Sequence, residues 1–171
     1  MVSIGVLEEA DGNTTGPWCS PSFIIPKKDG AARFITDCRE ANRRITRKPW
    51  PVPHTADLLQ DIGRCSYVLA LDLSMGYYHF KSDKKVQDVS TFVLLWGLCK
   101  HLRLPMGLSV SPDLFQANVQ RLLADLPFVK VCSDDVLIFS NGSYQDHMKK
   151  VEQVLERLRS KNLAVNAKKS F

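Results

Sequence analysis

Between Val129 and Ser140 the sequence reads VKVCSDDVLIFS, two apolar β-type runs on either side of two adjacent carboxylates. Short runs rich in Val, Ile and Phe around a polar centre predict an antiparallel hairpin, with Ser133, Asp134 and Asp135 in its turn. A carboxylate held among apolar residues is costly unless it is paired or bound to a cation. Two readings follow. Mg²⁺, a hard cation that takes one or two carboxylates plus phosphate oxygens, would offset the charge. Alternatively the acids sit in an exposed turn, where Asp is common. Spacing alone does not choose between them.

A second acid-bearing strand sharpens the question. Ser66 to Leu73, SYVLALDL, is rich in β-formers and predicts a buried strand with Asp72 near its end. Gathered together, the three carboxylates would suit a pair of divalent ions about 3.5–4 Å apart, the arrangement that clamps both oxygens of an in-line phosphoryl transfer. Tyr77 and Tyr78 follow Asp72 closely enough to stack on or filter a sugar, or simply to pack in the core at the strand's end.

Charge is confined as well. Of the 171 residues, 23 are Lys or Arg and 18 are Asp or Glu, for a net charge of +5, yet the segment 27–48 alone holds eight basic and three acidic groups. The rest of the chain is balanced. Such an excess attracts polyanions, nucleic acid or a nucleoside triphosphate, or it forms a solvated basic surface. Ser22-Phe-Ile-Ile and Ala32-Arg-Phe-Ile-Thr around Asp29-Gly30 predict a hairpin whose tip carries Lys27, Lys28 and Arg33, cations able to oppose a triphosphate.

The remaining elements point to an α+β fold, with helices packed on one face of an antiparallel sheet. Residues 1–17 mix acids, Gly and Thr without apolar periodicity and form a loosely attached, partly irregular lead-in. Lys48-Pro-Trp-Pro-Val-Pro forbids regular helix, and a short helix is expected over 55–62 with Gly63 as its stop. Ser111-Pro-Asp opens a helix with Ser111 as N-cap. Ser143 and Asp146 form a capping-box pattern before a long amphipathic helix that carries Met148, Val151, Leu155 and Leu158. Five cysteines, none closely paired, suggest reduced thiols inside the cell rather than a zinc ribbon or a disulfide framework. No apolar run approaches the roughly 20 residues of a membrane helix, and no secretory signal is visible.

Several of these segments match one family in order and spacing. SPSFIIPKKDGAARFITDCREAN (20–42) resembles a fingers hairpin leading into a D-x-R-x-x-N segment, here Asp37, Arg39 and Asn42. WPVPHTADLLQDIGRCSYVLALDLSMGYYHF (50–80) resembles a proline-rich linker and first catalytic motif, and LRLPMGLSVSPDLFQ (102–116) a template-and-nucleotide motif. CSDDVLIFS (132–140) resembles the YxDD motif, and NLAVNAKKSF resembles GLxLNPKKC. The sequence therefore resembles the reverse transcriptases (RNA-directed DNA polymerases) of gypsy-type long-terminal-repeat retrotransposons, over residues 18–171.

The resemblance implies a fingers–palm fold and metal-dependent DNA synthesis on an RNA or DNA template from a primer and deoxynucleoside triphosphates. It implies that Asp72 and Asp134 hold two Mg²⁺ ions, with Mn²⁺ able to substitute, Asp135 as the third carboxylate and the Leu73 carbonyl as a further ligand. Lys27, Lys28 and Arg33 would contact the triphosphate. Tyr77 would exclude a ribose 2′-hydroxyl, while Met106 and Gly107 would shape the floor of the nucleotide pocket. Departures are Cys132 for the motif tyrosine and Ser133 for an apolar residue. The expected extent is fingers and palm, with thumb, connection and RNase H supplied by a partner chain or the rest of a polyprotein. The expected setting is intracellular, a cytoplasmic particle or the nucleus, with no membrane partner. The alternative is an inactive retroelement remnant that binds nucleic acid or has no activity.

Overall fold

The computed structural model describes residues 1–10, 17–26, 30, 32–51, 63 and 65–171. The helix expected over 55–62, and Lys27 and Lys28 at the hairpin tip, lie outside the described residues. The chain forms two compact units: residues 1–48 with 77–111, and residues 49–76 with 112–171.

In the first unit, β1 (Leu7–Ala10), β5 (Phe92–Leu94) and β6 (Gly97–His101) make an antiparallel sheet in the order β1-β6-β5. Of the segment expected as a loose lead-in, residues 7–10 are thus paired into a sheet. Val6 and Leu7 are buried with Phe92 and Cys99, and β1 pairs along β6 from Leu7–His101 to Ala10–Leu98. Two buried residues and a ladder suffice for an edge strand, and so short an element leaves no periodicity to read. β2 (Ser22–Pro26) and β3 (Ala32–Thr36) form the expected hairpin, with Ile25 opposite Arg33. α1 (Arg39–Arg44) and α2 (Lys84–Val89) complete the unit. A small core of Cys38, Ala41 and Leu108 has Trp18, Ile45, Val86, Val89 and Val110 packed against it.

In the second unit, β4 (Tyr67–Asp72), β7 (Val129–Cys132) and β8 (Asp135–Ser140) form an antiparallel sheet in the order β4-β8-β7. Among the described residues α3 (Ser111–Leu122) and α4 (Tyr144–Ser160) are its helices, and α4 packs on β8. Phe115, Val119, Val136, Ile138, Val154 and Leu158 are almost wholly buried. Burial of side chains of this kind contributes roughly 1.5–3 kcal/mol each.

Two helix expectations are refined. α4 has the Ser143–Asp146 capping box, but its buried stripe is His147, Val151, Val154 and Leu158, while Met148 and Leu155 are exposed. The i, i+4, i+7, i+11 row that wins includes a histidine, because His147 Nδ1 bonds Ser140 Oγ at 2.8 Å and its ring stacks on Tyr67. Ser111 lies inside α3, and its hydroxyl donates to the Pro105 carbonyl at 2.7 Å instead of capping the helix.

Candidate active site

The β4–β8 ladder runs from Tyr67–Ser140 to Asp72–Asp135. Because side chains alternate across a strand, this register fixes which residues reach the sheet's end together. β7 ends at Cys132 and β8 begins at Asp135, so the turn is Ser133–Asp134, and Asp135 belongs to the strand rather than the turn. The Leu73 amide donates to the Asp134 carbonyl at 3.0 Å. That bond ties the end of β4 to the turn and brings Asp72, Leu73, Asp134 and Asp135 to one edge.

Ser133 has φ of +54°, left-handed for a residue that is not glycine. Hairpin turns with positive φ at their first residue match the twist of the strands and usually place Gly there. In a non-glycine residue such backbone costs about 1–3 kcal/mol and persists only where surrounding contacts impose it. Gln116, fully buried on α3, supplies those contacts. Its amide nitrogen donates to the Val131 carbonyl at 2.8 Å, and its amide oxygen accepts from the Ser133 N–H at 2.7 Å.

On the other side of β4 lies the segment that follows α4. The Asn166 amide donates to the Asp72 carbonyl and the Ser74 amide to the Ala164 carbonyl, both at 2.8 Å, and Phe171 exchanges backbone bonds with Ala70. This lays Lys169 beside the acids, its ammonium 3.7 Å from Asp72 Oδ2. Asp134 Oδ1 is buried with no hydrogen-bond partner among the described residues. Burial pushes the Asp134 carboxyl up from its ordinary value, Asp72 and Asp135 push it the same way, and Lys169 opposes them.

A buried carboxylate oxygen without a donor, crowded by two further carboxylates, fits a divalent cation. Among the described residues no three His, Cys, Asp or Glu side chains enclose a metal position. Mg²⁺ needs no such cage, since it keeps water and takes one or two carboxylates plus phosphate oxygens.

The other expected site residues that are described lie in the first unit. Arg33 is exposed on β3, and Tyr77 is half-buried in a 3₁₀ turn, Gly76–His79. Met106 is 40% exposed. Gly107 has φ of +113°, and a Cβ there would meet the Thr36 carbonyl at 3.1 Å, so glycine is required. Asn42 holds this loop from both sides, donating to the Gly107 carbonyl at 2.7 Å and accepting from the Ser109 N–H at 2.8 Å. Of the local basic excess, Arg39 is engaged by Asp37 and Arg43 by Glu40, and Arg44 lies over the Trp18 ring.

Lys169 and Gln116 carry no role in the sequence reading. The signal for Gln116 was a polar residue on the same helical face as Phe115 and Val119. For Lys169 it was the basic pair in a segment that already matched a motif.

The family described as reverse transcriptase (RNA-dependent DNA polymerase) matches residues 25–171. The chain is 28% identical over 176 residues to a retrovirus-related Pol polyprotein from transposon 297 of Drosophila melanogaster, covering 99% of this chain and 16% of that protein. It is 34% identical over 151 residues to the Pro-Pol polyprotein of Simian foamy virus type 3 (strain LK3), covering 88% of this chain and 13% of the relative. Among solved structures, the foamy viral protease-reverse transcriptase in complex with RNA/DNA hybrid superposes with a TM-score of 0.88 at 30% identity, over 99% of this chain and 22% of that one. The native prototype foamy virus protease-reverse transcriptase gives 0.86 at 31% identity, over 97% and 22%. The chain thus spans less than a quarter of the length of these relatives.

Proposed function

The chain belongs to the reverse transcriptase family, and from that premise we propose that it is the RNA-directed DNA polymerase domain of a gypsy-type retroelement Pol, acting by two-metal nucleotidyl transfer. Its α+β fold is the fingers–palm fold of the foamy viral enzymes. The observation that carries the catalytic reading is the buried Asp134 Oδ1, without a hydrogen-bond partner among the described residues, in a turn bonded to the residue after Asp72.

In the proposed reaction the primer 3′-oxygen attacks the α-phosphorus of a deoxynucleoside triphosphate. A new P–O bond forms, the bond to the bridging oxygen breaks, and pyrophosphate leaves. Asp72, Asp134 and the Leu73 carbonyl would hold Mg²⁺, or Mn²⁺ in its place, with Asp135 adding negative charge at the same edge. Bound there, the two ions would activate the attacking hydroxyl and stabilise charge on the leaving group. Lys27, Lys28 and Arg33 are assigned to the triphosphate, Arg33 gripping its oxygens with a planar fork. Tyr77 excludes a ribose 2′-hydroxyl by steric clash, and Met106 with Gly107 forms the floor beneath the incoming base. An RNA or DNA template with its primer is the polymer substrate. The domain is assigned to residues 18–171, working inside the cell.

One observation favours a second reading, an inactive remnant that retains nucleic-acid binding. Cys132, opposite Asp135 on the last β7–β8 rung, removes the ring and hydroxyl that the family places beside the primer end. Primer extension on an RNA template with Mg²⁺ or Mn²⁺, comparing this chain with Asp134→Asn, separates the two. Incorporation lost in the variant supports the polymerase. Salt-sensitive RNA binding without incorporation supports the remnant.

A further inference from the structure

We infer that Gln116 is a positioning residue for the metal site, standing in for a missing β-strand so that the turn carrying Asp134 keeps one conformation. The inference rests on the metal-binding reading above.

Among the described residues β7 is the edge strand of its sheet, so one row of its backbone groups has no neighbouring strand to pair with there. The Val131 carbonyl and the Ser133 amide are two residues apart, the spacing at which a neighbouring strand offers one donor and one acceptor. Gln116 provides both from a single side chain, at 2.8 and 2.7 Å. A carboxamide is the side-chain group that mimics a peptide unit in this way: a carboxylate only accepts, and a thioether does neither job well. The contact ends at Ser133, whose left-handed φ immediately precedes Asp134. It is rigid as well, since Gln116 is wholly buried and follows Phe115, whose ring fills the space beside Gly76. With the clamp in place, the turn approaches the end of β4 in the geometry of the Leu73–Asp134 bond. Without it, Ser133 is free to relax toward ordinary backbone and swing the Asp134 carboxylate.

Three variants of the full chain test this, read by Mn²⁺ affinity (electron paramagnetic resonance), Ser133 amide exchange and melting temperature. Gln116→Met keeps length and burial but removes both hydrogen bonds. Val119→Ala, on the same helix and equally buried, controls for lost stability alone. Adding Ser133→Gly to Gln116→Met lets the turn adopt positive φ without help. Expected are Mn²⁺ binding weakened at least tenfold and Ser133 exchange accelerated in Gln116→Met, affinity within twofold of wild type in Val119→Ala, and recovery of most of the lost affinity in the double variant. Wild-type affinity in Gln116→Met, a loss no greater than that of Val119→Ala, or no recovery with Ser133→Gly overturns the inference while leaving the metal site standing. A wild-type chain that binds no Mn²⁺ overturns the metal-binding reading itself, and this inference with it.

Discussion

Asp72 and Asp135 face each other across the last rung of the β4–β8 ladder. The opposite end of that ladder, Tyr67–Ser140, is pinned by His147, which bonds Ser140 Oγ at 2.8 Å and stacks on Tyr67 with ring centroids 5.5 Å apart. A one-residue slip would turn every side chain of β4 to the other face. The register that sets the carboxylates together is therefore fixed at the end remote from them.

Burial of Asp134, and then crowding by the other acids, has a cost in the metal-free protein. The Asp134 carboxyl is shifted upward, so between its ordinary and its folded value the native state binds more protons than the unfolded one, and stability falls as pH rises through that window. Asp134→Asn is expected to raise the melting temperature at pH 7 in EDTA, since the neutral amide carries no charge into the same place. Mn²⁺ should raise the wild-type melting temperature and leave the variant's unchanged. Calorimetry with and without metal checks both.

His101 acts in the opposite direction. It is 2% exposed, its Nε2 bonds Thr36 Oγ1 at 3.0 Å, and its Nδ1 has no partner among the described residues. Burial lowers its pKa to about 4. The unfolded state therefore binds the extra proton between the ordinary histidine value and about 4, and stability falls as pH drops through that range. The loss from pH 7 to pH 5 should be about 2 kcal/mol. Urea unfolding at the two pH values should show it, and His101→Gln should flatten the dependence.

Gly76 leaves no room for a side chain. A Cβ there would sit 2.7 and 2.8 Å from two carbons of the Phe115 ring. Gly76→Ala should destabilise by about 1–3 kcal/mol, as overpacking does, measured by denaturant titration. Because Phe115 precedes Gln116, the variant should also accelerate exchange of the Ser133 amide.

Tyr77 is proposed above as the sugar filter. Tyr77→Ala should admit ribonucleoside triphosphates, with the selectivity ratio for deoxyribonucleotides falling by tenfold or more. Competitive single-turnover incorporation measures that ratio. An unchanged ratio removes the gate role from Tyr77.

Much of this was readable from local chemistry. The hairpins at 22–36 and 129–140, the strand ending at Asp72 and the Ser143 capping box are set by neighbours in sequence and formed, although Asp135 joins β8 instead of the turn and Val68 on the strand expected to be buried is exposed. Long-range pairings were not readable. β1 and β6 recognise each other across about ninety residues and neither is long enough to show a period. Gln116 and Asn42 look like ordinary polar residues until the backbone groups they satisfy, at Val131, Ser133, Gly107 and Ser109, are in place. The acids Asp72, Asp134 and Asp135 could be suspected from their apolar surroundings, but only the ladder shows them meeting.

Template-directed synthesis is tested most directly by single-nucleotide incorporation opposite a defined base. The chain is given an RNA template primed so that a single base remains unpaired, Mn²⁺ and all four deoxynucleoside triphosphates, and that base is changed from A to C. The expected result is one added nucleotide that switches from dT to dG with the template and is absent in Asp134→Asn. Incorporation that ignores the template base, that survives Asp134→Asn, or that never occurs would contradict it.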